Sequence, residues 1–243
     1  MYKKALVSLA VATLAFGAVA ANAANSTVKI SGWHQAARFE PGYQSVTIDP
    51  TKAGKSNVAA GGFDVVYKDS QGKQTSFVSY CVDVYQTLNV GATYTNSYSL
   101  VSGLSAFGAD KANELGRLFT AFSSTVDTTL ESAAFQLAIW EIVDETSSNY
   151  SLTGGTFKAS NNSAAISKAD GWLKMLDDHD EWGNDYNIQA LVSGSKQDLL
   201  VATLSPQTPI PPVSPVPEPE TYALMAAGLL AVGFVSRRRK AAN

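Results

Sequence analysis

Apolar and polar positions alternate in places along "STVKISGWHQAARFEPGYQSVTI", residues 26–48, which predicts strands with a turn at Pro41-Gly42. Further on, "GGFDVVYK" and "QTSFVSYCVDVYQTL" flank Asp69-Ser70-Gln71-Gly72, a run of turn formers, and predict a hairpin. If the second arm stays extended to Tyr85, then Val78, Tyr80, Val82 and Val84 share one face. Phe77, Ser79, Cys81, Asp83 and Tyr85 then share the other. From residue 108 the period lengthens. "GADKANELGRLFTAFSS" predicts a helix, and Thr128-Thr129-Leu130-Glu131 predicts a capping box at the start of a second. Ala133, Ala134, Leu137, Ala138, Trp140 and Glu141 continue that second helix, and apolar residues wrap most of it, so it should be buried. "NSAAISKADGWLKMLDDH" predicts a third helix, and "NIQALVSGSKQDLLVATL" a closing hairpin around Ser193-Gly194-Ser195. Strands, then helices, then strands give an α+β class: one domain of antiparallel β-strands with a helical insertion. No internal repeat is visible.

Both ends fall outside that pattern. Residues 1–23 start with Lys3 and Lys4, run apolar to Ala20 and close on Ala21-Asn22-Ala23, the layout of a signal peptide cut after Ala23. The domain then spans 24–204. Residues 205–216 form a Pro-rich linker, an extended spacer by composition. Residues 217–243 begin Pro217-Glu218-Pro219 and continue through an apolar run from Tyr222 to Val235 into Arg237, Arg238, Arg239 and Lys240. Cations remain on the cytoplasmic side, so this helix would tether the body outside the inner membrane. The motif, the apolar helix and the arginine cluster resemble the PEP-CTERM sorting signal of Gram-negative bacteria. That resemblance implies processing by an exosortase-type enzyme, in bacteria that make extracellular polysaccharide. The chain would cross the inner membrane to its periplasmic side, hold there transiently, and end at the cell surface or in a biofilm matrix.

Charge narrows the partners. The whole chain carries 18 basic and 21 acidic residues; without both end segments, 12 and 19 remain, a net of −7. An acidic domain with no basic patch excludes nucleic acid as a partner. No dinucleotide, phosphate-loop, zinc-protease or serine-hydrolase motif occurs. "LDDHDEW" (Asp177 to Trp182) has a single His and lacks calcium-loop spacing, so it reads as a solvated helix end rather than a metal site. His34 reads as a packed or exposed side chain.

Two residues resist a purely structural account. Cys81 is the one cysteine of an exported chain, so it has no internal disulfide partner. Gln136 interrupts the apolar helix, where an unsatisfied amide costs about 1–3 kcal/mol. Taken singly, each has a plain role: a space-filling thiol and an amide bonded to a backbone group. Together, Tyr80-Cys81-Val82-Asp83 on a strand and Phe135-Gln136-Leu137-Ala138-Ile139-Trp140-Glu141 on a helix resemble the thioester domain of bacterial surface adhesins.

The resemblance implies an internal thioester between the Cys81 sulfur and the Gln136 side-chain carbonyl, formed with loss of ammonia. Held at attack distance in a dry site, the exchange becomes feasible, since effective molarities reach about 10⁵–10⁸ M. Tyr80, Tyr85, Phe135 and Trp140 are candidates for the dry shield. Asp83 and Glu141 are candidates for a proton relay. An amine of a protein lysine, or a polysaccharide hydroxyl, would take the acyl group and release the thiol. Such an adhesion clamp is used once, so the chain is expected not to be an enzyme and needs neither cofactor nor metal. Three rivals stand beside it: a non-reactive matrix or binding module with the same fold, a polysaccharide hydrolase using Asp83 and Glu141, and a thioester that serves only as a covalent staple.

Overall fold

The computed structural model describes residues 25–35, 42–50, 54–146 and 149–205. The expected signal peptide, the linker from 206 on, the sorting segment with its apolar helix, and Pro41 of the first turn lie outside the described residues. Among the described residues, no helix is long and apolar enough to cross a membrane.

The strands are β1 (Thr27–Trp33), β2 (Gln44–Ile48), β3 (Ser56–Ala60), β4 (Phe63–Lys68), β5 (Gln74–Ser79), β6 (Thr93–Thr95) and β7 (Ser99–Ser102). The helices α1 (Gly103–Phe107), α2 (Ala109–Phe122) and α3 (Thr129–Asp144) follow. After them come β8 (Ala159–Ser160), α4 (Ser163–Asp178), β9 (Tyr186–Val192) and β10 (Leu199–Leu204). The strands form three antiparallel sheets, ordered β5-β4-β1-β6, β10-β9-β7 and β3-β2-β8. The class is therefore α+β, with the helices inserted between β7 and β9. The hairpin β4–β5 turns on Asp69, whose carboxylate accepts from the N–H groups of Gln71 and Lys73.

The helix starts follow from the sequence. Thr128 caps α3: its hydroxyl accepts from Glu131 N–H at 3.2 Å, and the Glu131 carboxylate accepts from Thr128 N–H at 3.1 Å. At the other end, Lys111 Nζ donates to the carbonyls of Val143 and Glu145, placing a cation on the negative end of the helix dipole. Between its ends, α3 is buried on every side from Ser132 to Ile142. Gly108 joins α1 to α2 at φ +83°, a conformation that glycine adopts without strain.

One expectation fails, and the failure builds the site. The second arm of the β4–β5 hairpin does not run extended to Tyr85. It stops at Ser79, and Ser79, Tyr80, Cys81 and Val82 are all buried in succession, so the two-face alternation is lost. The chain leaves β4 here and crosses to β10. Leu200 N–H donates to Tyr80 O at 2.8 Å, Val82 N–H donates to Asp198 O at 3.0 Å, and Cys81 opposes Leu199 in an isolated bridge. Cys81 thus lies at a crossover between two sheets instead of within a strand.

Candidate functional site

The crossover presents the backbone of Cys81 to the middle of α3. There the Gln136 carboxamide closes a ring with a single residue: Cys81 N–H donates to Gln136 Oε1 at 2.9 Å, and Gln136 Nε2 donates to Cys81 O at 2.8 Å. Both bonds are short and buried, and each polar atom of the amide has a partner. The unusual glutamine is therefore satisfied by the residue with which the sequence paired it, 55 positions away. The two bonds hold the carboxamide against the backbone of Cys81. Cys81 is 4% exposed and Gln136 1%.

The electrostatics follow from burial. The Cys81 thiol is pushed well above its ordinary range, first by desolvation and then by the nearby Asp83 carboxylate. It is held as a neutral thiol, protected from the oxidants that attack thiolates. The Cys81 N–H on Oε1 has the geometry of an oxyanion donor, aimed at the oxygen that gains charge when the carboxamide carbon is attacked.

An aromatic layer backs the pair. Tyr80 and Phe135, the residues preceding Cys81 and Gln136, meet with ring centroids 5.1 Å apart, and Phe119 packs edge-on to Phe135 at 4.9 Å. Gly62 lets β4 approach them: its N–H donates to Ser132 Oγ on α3, and a Cβ there would stand 3.1 Å from the Tyr80 ring. On the other side lies a cavity of about 240 Å³, lined by Cys81, Trp140, Trp33 and Phe63 among others.

The remaining expected residues fall in different places. Phe135 and Trp140 are 0% and 3% exposed; Phe135 packs on Tyr80, and Trp140 lines the cavity with Cys81. Tyr85 is no shield: it is 44% exposed, and its hydroxyl donates to Asp144 at 3.0 Å. Asp83 is close enough to act on the thiol, but its carboxylate accepts from Tyr85 N–H, the bond of a local turn. Glu141 is fully buried, and its Oε1 accepts from Ser151 N–H at 2.7 Å. No hydrogen bond among the described residues joins Glu141 to Asp83, Cys81 or Gln136. Burial, opposed by that Ser151 bond and aided by Glu145, Asp170 and Asp144, pushes its carboxyl up to about 7. His34 pairs with Asp64 at 2.7 Å. His179 pairs with Glu181 and stacks on Trp182, so the acidic run is tied down as a helix end. Gln86, which also lines the cavity, is absent from the sequence reading. Its cue in the sequence is a second amide, in the run "VDVYQTL".

Comparison with known proteins adds three findings. The solved N-terminal thioester domain of a surface protein from Clostridium perfringens, in a cysteine-to-alanine variant, is weakly similar: 15% identity and a TM-score of 0.38, over 58% of this chain and 89% of that one. No curated protein matches the chain significantly. Residues 215–240 match the PEP-CTERM protein-sorting motif, so the chain carries the signal of an exported surface protein whose processing by an exosortase the motif implies.

Proposed function

We propose that this protein forms an internal thioester between Cys81 Sγ and Gln136 Cδ, and uses it once to attach itself covalently to a nucleophile at the surface or in the surrounding matrix. One observation carries the reading: the Gln136 carboxamide is locked by two hydrogen bonds onto the backbone of the chain's sole cysteine, with both residues buried. The thiol sulfur bonds to Cδ and the Cδ–Nε2 bond breaks. The thiol proton leaves with the nitrogen, so ammonia is the other product. Cys81 N–H supports the oxygen during the step. A thiol with a raised pKa is a poor leaving group, so the bond persists until a nucleophile reaches it through the cavity. Attack on Cδ then gives an amide or ester and returns the Cys81 thiol. Nothing turns over.

The test is intact-protein mass spectrometry. The reading expects a mass lighter by one ammonia, a gain of one methylamine on treatment, and loss of both in Cys81→Ala. A wild-type protein at full mass with a titratable thiol overturns it. The pairing of both polar atoms of the amide with backbone favours a second reading, a non-reactive surface module in which Gln136 is a hydrogen-bonded strut. The same measurement separates the two.

A further inference from the structure

Cys81 is buried, so a reagent that meets it needs an opening. The walls of the cavity beside it differ in how firmly they are held. Trp33, Ile48, Val58 and Phe63 lie on β1 to β4, in antiparallel ladders, and Trp140 lies on the buried helix α3. A further wall is the strap from Asp83 to Val90, which forms neither helix nor strand. Its Val84 and Leu88 are half-buried against the core. Thr87 and Val90 line the cavity and are also exposed, so the strap stands at the mouth. A segment with little apolar burial and no ladder of its own is among the first to open.

The strap has fixed ends and separate fastenings between them. At one end Val82 N–H donates to Asp198 O, and at the other Gly91 N–H donates to Ile30 O. Gly91 has φ +86° and open space where a side chain would stand, which suits a hinge. Between the ends Gln197 holds the strap twice. Its Nε2 donates to Asp83 O at 2.8 Å, and its backbone N–H to Thr87 O at 3.4 Å. The Tyr85 hydroxyl, bonded to Asp144 at 3.0 Å, ties the strap to α3, the helix that carries Gln136. The Tyr85 bond is exposed and the Gln197 side-chain bond partly buried, so water can replace either when the strap lifts.

We propose that residues 83–90 are a gate over Cys81, latched to α3 through Tyr85 and to the approach of β10 through Gln197. Its opening sets the rate at which reagents reach the cysteine and the carboxamide bound to it. Tyr85 thus guards the pair as a bolt rather than as a cover. The gate's role in capture rests on the thioester reading; the gate itself does not, since it controls access to a free thiol equally. In capture of an amine, the nitrogen bonds to Gln136 Cδ, the Cδ–Sγ bond breaks, and an amine proton ends on Sγ.

Tyr85→Phe, Gln197→Leu and the double variant, each made in the full chain, test it. Tyr85 lies outside the cavity lining, so its substitution acts through the strap. Intact mass follows two reagents: methylamine, which reads the thioester, and N-ethylmaleimide, which reads a free Cys81 thiol in protein that carries no thioester. Each single substitution raises the rate of the reaction that the protein supports by about two- to tenfold, and the double variant raises it by the product of the two. Hydrogen exchange quickens at the amides of residues 83–90 and is unchanged in β4 and α3. Labelling unchanged in both single variants, or faster labelling accompanied by equally faster exchange in α3, overturns the gate. Methylamine capture indifferent to both substitutions leaves the thioester and removes the gate. Full-mass protein whose maleimide labelling quickens in the variants removes the thioester and leaves the gate.

Discussion

Removing the proposed bond makes a quantitative demand on stability. A cross-link between residues 81 and 136 closes a loop of 55 residues, which in the chain-entropy treatment stabilises the fold by about 4 kcal/mol. Ammonia loss forfeits the Gln136 Nε2 bond to Cys81 O, a cost of about 1 kcal/mol, so the net is about 3 kcal/mol. For a domain of this size each kcal/mol moves the melting temperature by about 2–4 °C, so methylamine-opened protein should melt about 6–12 °C below the intact form. Cys81→Ala removes the cross-link and also the packing of a buried sulfur, about 1 kcal/mol more. Because it keeps the backbone of residue 81, it preserves both hydrogen bonds to Gln136. Gln136→Leu keeps the volume but strands the Cys81 N–H and C=O, adding about 2–6 kcal/mol. The expected order in differential scanning calorimetry is wild type, methylamine-opened, Cys81→Ala, then Gln136→Leu. Without the bond, Cys81→Ala costs only the packing term, about 2–4 °C. A Cys81→Ala protein within that interval of wild type, together with no response to methylamine, refutes the cross-link. A large fall in Gln136→Leu alone would then identify the carboxamide as a strut.

Glu141 should make stability fall with rising pH. Its folded carboxyl, raised to about 7 chiefly by burial, holds its proton more tightly than the unfolded one near 4.5. Its contribution is therefore complete below about 4.5 and is lost as pH climbs to about 7. Glu141→Gln should match wild type near pH 4 and melt higher at pH 8; thermal scans in which the two proteins run parallel across that window contradict the assignment. Thr128→Ala breaks the capping box of α3 and should cost about 1 kcal/mol in urea denaturation, with an unchanged m-value. Phe135→Ala, at a fully buried site packed on Tyr80 and Phe119, should cost about 3–5 kcal/mol and slow thioester formation by loosening the Cys81 segment, which a time course of ammonia loss would record.

Helical insertion, capping box, hairpin turn and closing hairpin were all legible, because each depends on residues a few positions apart. The capping box needs only Thr128 and Glu131, and the β4–β5 turn needs only Asp69 and its neighbours. What periodicity missed is non-local or short. The β6 and β8 strands hold three and two residues, too few to show a period, and exist because β1 and β2 offer them edges. The end of β5 at Ser79 could not be seen either. The sequence "SFVSYCVDVYQ" still alternates there, and only the arrival of β10 from more than a hundred residues away turns the chain out of the sheet. At the site, Cys81 and Gln136 were found because their residue types are odd for their surroundings. Tyr85 was misjudged because an aromatic near a buried cysteine looks like a shield, whereas the turn closed by Asp83 carries it to the surface.

That turn also bears on how a nucleophile is admitted. Tyr80, Phe135 and Phe119 close the pair from one side, while the cavity with Trp140 and Gln86 meets Cys81 on another. A reactive acyl group that must survive export needs the first wall to exclude water and the second to admit a chosen group. A Gln86→Leu protein whose thioester hydrolyses faster than wild type, read as a gain of one water in mass over days, would mean that Gln86 belongs to the wall that keeps water from the bond.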